Sequence, residues 1–374
     1  MESRANYGSD IREQNRQKRM LRQKIHRMRV LAMTAAVTLA VTMGVAEISY
    51  IQSGSISVET DGYSVINEER ERRADAAAAL NMADSGIQKI DITIPDYCPV
   101  NYTARSPIAM VYDKTTGSVL YSKNENEKCY PASTVKLMTA AVALDLAADD
   151  FKYVAGGELD LIQDGASLAK INKCYALNTS ELMDAMIMKG GSDASYIAAA
   201  NIGRLLCDND DVASLEAVNK FVDVMNSTAS AIGCTATHFT NPDGFFDAEQ
   251  YTTGKDMMKI AIYASEHEEI MTAAGKAHSG GKLLSGQTYE WVNSNKMMIE
   301  TSSDYYEYAT GLKTGMTENS GYCIAATAEQ YGHELVCIVM NAPSSEDRTF
   351  DVKALFDISF SYLSDIGNAE TETY

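Results

Sequence analysis

Pro131-Ala132-Ser133-Thr134-Val135-Lys136-Leu137-Met138-Thr139-Ala140 is the stretch on which the reading of this chain turns. A proline followed by a run rich in Ala, Leu and Met predicts a helix that starts just after Pro131 and covers residues 133–147. Ser133 and Lys136 are then i and i+3 on one face, with Cβ atoms roughly 5–6 Å apart. At that spacing the amine can take the hydroxyl proton directly. A serine is a poor nucleophile until a base activates it, and a lysine can be that base only when neutral. Neutrality near pH 7 means moving a pKa of ~10.4 down by several units, through burial or a neighbouring cation. On its own the tetrapeptide is weak, since an exposed Ser and Lys at a helix start is its plainer reading.

A second motif changes that weighting. Lys313-Thr314-Gly315 follows a β-like run and precedes Met316-Thr317. A strand ending in a cation, a hydroxyl and a glycine can line the edge of a cleft, pair its backbone with an extended peptide, and present Lys313 to an anionic group. S-x-x-K followed by K-T-G is the serine acyl-transfer signature of penicillin-binding proteins and class A β-lactamases.

The surroundings read as an α/β (α+β) domain at residues 93–365. Strand-like runs at 109–112 and 119–122, with a turn at 114–117, predict a β-hairpin. Asn178 with Glu181 three residues on predicts a capping box opening a helix through Met188. Further helices are expected at 193–206, 216–225 and 256–265. Three strands with tight turns follow, in "EYATGLKTGMT", "SGYCIAATAEQ" and "HELVCIVMNAP", then a last helix over 348–363 and a tail at 366–374. Strands at both ends of the domain imply one antiparallel sheet built from both, with helices on its faces.

The 374 residues carry 32 Lys+Arg against 51 Asp+Glu, a formal charge of −19. The acidic excess argues against a nucleic-acid partner, whose binding would rest on basic phosphate contacts. Residues 1–29 are the exception, with nine basic and three acidic side chains. The apolar run at 30–46 follows at once, about 26 Å long as a helix against a hydrocarbon core of ~30 Å. Two readings compete. Gly44-Val45-Ala46 suits a signal cleaved after Ala46, while the long basic segment suits a retained single-pass membrane anchor with its positive side inside. Both put the rest of the chain outside the cytoplasm. Residues 47–92 read as a polar stalk with a short helix at 68–82.

The chain from about Ser106 to Leu363 resembles the serine D-alanyl-D-alanine carboxypeptidases, the low-molecular-weight penicillin-binding proteins. The resemblance is carried by "PASTVKLMTA" at 131–140, "THFTNPDGF" at 237–245, "NSNKMM" at 293–298 and "TGLKTGMTENSGYCIAATA" at 310–328. It implies the β-lactamase/DD-peptidase-like serine transferase fold, removal of the terminal D-alanine from peptidoglycan stem peptides, and inhibition by β-lactam antibiotics. It also implies that Ser133 forms the acyl-enzyme with Lys136 as base, and that Lys313 keeps the site electropositive. The N–H groups of Ser133 and Met316 would form the oxyanion hole. Thr314 and Gly315 would line the substrate, and Arg348 would hold its terminal carboxylate, where a guanidinium offers a bidentate fork.

One place departs from the family. Its third motif, Ser-x-Asn before Asp-Ala, here reads Gly190-Gly191-Ser192-Asp193-Ala194. Ungapped, Gly190 takes the serine's place and Ser192 the asparagine's. The missing hydroxyl would normally relay protons between Lys136, Lys313 and the leaving group, and Ser192 is expected to substitute if the loop shifts. Two rival readings follow: a class A-like β-lactamase, for which no Glu-x-x-x-Asn segment is found between Ser192 and Lys313, and a wall-binding sensor with weakened catalysis. No metal or organic cofactor is expected. The five histidines form no HExxH, no glycine-rich phosphate loop occurs, and seven cysteines without a CxxC pair match no zinc site. Which thiols pair is left open.

Overall fold

The computed structural model describes residues 87–207 and 209–371. The basic segment, the apolar run at 30–46, the stalk up to residue 86 with its expected helix, and residues 372–374 lie outside them. Strands β1 (Ile108–Asp113) and β2 (Ser118–Lys123) form the expected antiparallel hairpin. A second hairpin, β3 (His278–Lys282) with β4 (Thr288–Val292), stands apart from the main sheet. Strands β5 (Ala309–Thr317), β6 (Gly321–Gln330) and β7 (His333–Ala342) then run as a meander. The main sheet has the order β2-β1-β7-β6-β5 and is antiparallel throughout. The two ends of the domain meet in it, Ile108 opposite Met340 and Asp113 opposite Leu335.

The helices are α1 (Lys136–Leu146), α2 (Thr179–Met183), α3 (Ser192–Cys207), α4 (Ser214–Ala231), α5 (Gly254–Ser265), α6 (Glu268–Ala274) and α7 (Ser345–Thr371). Helix α2 opens with the expected capping box between Asn178 and Glu181, then widens into a π turn at Asp184–Met188. Helix α7 extends past the expected end at Leu363, through most of the segment read as a tail.

Strand alternation assigns each sheet face its partner. Ala109, Val111, Ala326, Cys337 and Val339 point one way, into a core with Phe356 and Phe360 of α7. Val352, Leu355, Phe356, Phe360 and Leu363 recur at helical spacing, so one stripe of α7 covers that face. Asp351 fastens the N-terminal approach to the same helix. Its carboxylate accepts from Tyr102 Oη at 2.7 Å, Arg105 N at 3.0 Å, and Ser106 N and Oγ at 2.7 and 2.6 Å. Helix α5 packs on β7 and β1 from the helical side.

Helix α1 is buried all round, every residue from Lys136 to Ala143, and packs against α3, α4 and α5. A helix apolar on every side belongs in an interior. That placement brings the lysine at its first turn into the protein.

Phe356 is fully buried between the sheet and its ring neighbours Tyr306 and Phe360. Truncation there removes both transfer energy and packing. Phe356→Ala is expected to lower the unfolding free energy by about 3–5 kcal/mol in urea titrations. A loss well under 1 kcal/mol would mean that α7 does not cover this face.

Candidate active site

The chain enters α1 through a tight 3-10 turn, Ala132–Val135, and Ala132 stands at φ +49. A left-handed backbone at a non-glycine residue costs energy and is commonly found where geometry serves a site. The turn puts Ser133 and Lys136 on one side, with Lys136 Nζ donating to Ser133 Oγ at 3.0 Å. Lys136 Nζ also donates to the Asp243 carbonyl and lies 3.5 Å from Ser192 Oγ. Lys136 Nζ therefore lies within reach of the hydroxyls of both Ser133 and Ser192.

Asp243 belongs to the Asn241-Pro242-Asp243-Gly244 turn, which is held by Asn241 Oδ1 accepting from Gly244 N at 2.9 Å and from Gln250 Nε2 at 3.0 Å. Gly244 has φ +84, and a Cβ built on it would fall 1.9 Å from the Ala132 carbonyl oxygen. Only glycine lets this turn press against the Ala132–Ser133 backbone.

Strand β5 closes the other side. Lys313, Thr314 and Gly315 pair with Ala325, Ile324 and Cys323 of β6, leaving the outer edge of β5 at the sheet margin. A Cβ on Gly315 would stand 2.8 Å from Ser133 N, so the strand and the helix start touch backbone to backbone. Lys313 and Thr314 are buried, while the Met316 side chain is 56% exposed. Arg348, in the first turn of α7, reaches the Cys323 carbonyl with Nη1 at 3.5 Å, and its buried Nε has no hydrogen-bond partner.

Three cations thus share one cleft. Burial pushes Lys136 below its ordinary value, against the upward pull of the Asp243 and Asp193 carboxylates. Lys313 is pushed well below, by burial first and then by Lys136, Arg348 and Lys189 around it. Burial also lowers Arg348. A charge on Lys136 is among the causes that disfavour the charged form of Lys313, and Lys313 is the more strongly lowered of the two.

The third-motif loop is the part that sequence reasoning resolved least. Asp193 accepts from Ala169 N and Ile171 N, both at 2.9 Å, and Ser192 N donates to the Ser167 carbonyl at 2.7 Å. This fixes Ser192 at the head of α3, facing Lys136. The hydroxyl that receives a hydrogen bond from Lys313 Nζ belongs to Ser294, at 3.1 Å. Sequence reasoning assigns no role to Ser294 or to the Asp243 carbonyl. The only signal for them was their position inside the quoted stretches "NSNKMM" and "THFTNPDGF". The seven cysteines are free thiols, and Cys129, Cys234, Cys323 and Cys337 are buried.

Gly286 also has a left-handed φ, +95, but open space around it. Gly244→Ala is therefore expected to cost several times more unfolding free energy than Gly286→Ala, for which about 1 kcal/mol is expected. Equal losses in paired urea titrations would show that the 241–244 turn is not pressed on Ala132.

The chain is similar in sequence and fold to known proteins. The family described as D-alanyl-D-alanine carboxypeptidase (peptidase S11) matches residues 98–344. DacF of Bacillus subtilis is 26% identical over 257 residues, which cover 68% of this chain and 61% of that protein. The D-alanyl-D-alanine carboxypeptidase of Streptomyces sp. strain K15 is 26% identical over 254 residues, 66% of this chain and 84% of its own. A mutant of the Streptomyces K15 DD-transpeptidase superposes with a TM-score of 0.64 at 24% identity, a likeness of fold over 70% of this chain and all of that one. Penicillin-binding protein D2 of Listeria monocytogenes, in its ampicillin-bound form, superposes with a TM-score of 0.55 at 26% identity, over 70% of this chain and 99% of that one. With a family match across about two thirds of its length and with both motifs in one cleft, the chain belongs to the D-alanyl-D-alanine carboxypeptidase family.

Proposed function

We propose that the chain is a serine D-Ala-D-Ala carboxypeptidase acting outside the cytoplasm on peptidoglycan stem peptides. The observation that carries this reading is the 3.0 Å contact between Lys136 Nζ and Ser133 Oγ, inside a buried site that β5 closes with Lys313. Ser133 Oγ attacks the carbonyl of the penultimate D-Ala and loses its proton to neutral Lys136. The peptide C–N bond breaks, and the terminal D-Ala leaves with a proton on its amine. Water then hydrolyses the ester on Ser133.

Each remaining group has a matching task. The free edge of β5 suits an extended peptide that adds as a strand. The close approach of Gly315 to Ser133 N brings the Ser133 and Met316 backbones together, which supports an oxyanion hole between their N–H groups. Arg348, with an unpaired Nε, and Lys313 face the terminal carboxylate with Thr314 beside them. That carboxylate also bears on which of the two amines carries charge. An anion arriving beside Lys313 favours its ammonium and leaves Lys136 neutral, the state in which it acts as base.

β-Lactams acylate Ser133 in the same reading, in line with the ampicillin-bound relative. The segment at 30–46 serves as membrane anchor or as an export signal cleaved after Ala46. Among the described residues no helix is long and apolar enough to cross a membrane.

The full-length chain is expected to release D-Ala from an acyl-D-Ala-D-Ala tripeptide, and Ser133→Ala to lower the rate by about 10⁴-fold or more while the fold is kept. The rate should rise with pH as the lysine pair loses its first proton, below the ordinary ~10.4, and fall as it loses the last. Absence of D-Ala release by the folded wild type would refute the proposed activity on this substrate.

A further inference from the structure

Lys313 has two acceptors for its ammonium, the Thr314 carbonyl at 2.9 Å and Ser294 Oγ at 3.1 Å. Ser294 Oγ in turn lies 3.0 Å from the Met188 carbonyl, to which its own N–H also donates at 2.8 Å. Both roles of the hydroxyl are then used, accepting from Lys313 and donating to Met188. Met188 ends the π turn two residues before Gly190. Gly190 stands at φ +82, and a Cβ there would lie 3.1 Å from Lys313 Nζ and 3.5 Å from Ser294 Oγ. The oxygen of Ser294 therefore sits beside the place where the family's third motif carries a serine and this chain carries a glycine.

We propose that Ser294 is the positioning residue for Lys313: its hydroxyl replaces the one absent at position 190, accepts from the ammonium, and holds it in the cleft in its charged form. The consequence rests on the serine-peptidase reading, because a proton kept on Lys313 leaves Lys136 free to act as base. Ser192 does not fill this role, since its Oγ faces Lys136.

The charges around Lys313 make a neutral acceptor matter. Lys136 faces it from α1, Arg348 from α7 and Lys189 from the loop before α3, and all three disfavour its charge. The Asp243 and Asp193 carboxylates act instead on Lys136. The hydroxyl of Ser294 opposes the three cations without adding a charge that would compete for the substrate.

The test uses the full-length chain labelled with 13C-lysine, the Lys313 signal being assigned by its loss in Lys313→Arg. Wild type, Ser294→Ala and Ser294→Thr are titrated by NMR, and their acylation by a fluorescent penicillin is followed against pH. A hydrogen bond to a charged group is worth about tenfold in an equilibrium. The Lys313 midpoint should therefore fall by about one pH unit in Ser294→Ala and return in Ser294→Thr. Acylation should fall about tenfold at its plateau, with the acid limb moving to lower pH, and recover in the threonine variant. A Ser294→Ala protein that loses acylation while Lys313 titrates as in wild type would overturn the proposal, because Ser294 would then only tie its loop to Met188. If penicillin fails to acylate even the wild type, the peptidase reading fails, and the Lys313 midpoint alone decides whether Ser294 holds that amine.

Discussion

Two lysine side chains, Lys136 and Lys313, are enclosed together in one cleft, and the rest of the site is arranged around the cost of burying them. An ammonium removed from water is destabilised unless it is hydrogen-bonded or gives up its proton. Here both happen. Lys136 gains the oxygens of Ser133, Ser192 and Asp243, and Lys313 those of Thr314 and Ser294. The pair still cannot hold two full charges at ordinary cost, and in the proposed reaction this makes Lys136 a base in contact with the Ser133 hydroxyl. A cleft of this kind is stable only because the scaffold on both sides is built from continuous hydrophobic packing.

At the site itself the pieces meet through backbone contacts. The sheet holds Lys313 at a fixed register on β5, opposite Ala325. The buried helix α1 delivers Lys136 from the other side, and two glycines let the pieces meet. Gly315 allows β5 to touch the Ser133 backbone, and Gly244 allows the 241–244 turn to touch Ala132. A methyl group at either place would push Ala132 and Ser133 away from Lys136. The positive φ of Ala132 fits the same picture, a strained residue held by neighbours on two sides.

Much of this was legible in the amino-acid order. The β1–β2 hairpin, the three strands from 309 to 342 and the capping box at Asn178 carry strong local signals, and the structure has each of them. Ser133, Lys136 and Lys313 stand out through spacing and motif order. Other features left little trace. The β3–β4 hairpin is mostly exposed and its first strand reads HSGGK, so no apolar alternation marks it. Helix α7 was cut short because its apolar stripe ends near Leu363 while the backbone continues to Thr371. Ser294 touches Lys313 across 19 positions of chain, and only tertiary folding creates that contact. The glycine at 190 was legible as a departure, but what fills its place was not.

The central claim is that Ser133 is the acylated residue of this cleft. The most direct measurement is the intact mass of the full-length chain after incubation with benzylpenicillin, followed by proteolysis and peptide sequencing by mass spectrometry. The account predicts a gain of one penicillin per chain, carried by the peptide containing Ser133 and absent from Ser133→Ala. An unmodified folded chain, or a penicillin bound to any other residue, would contradict it.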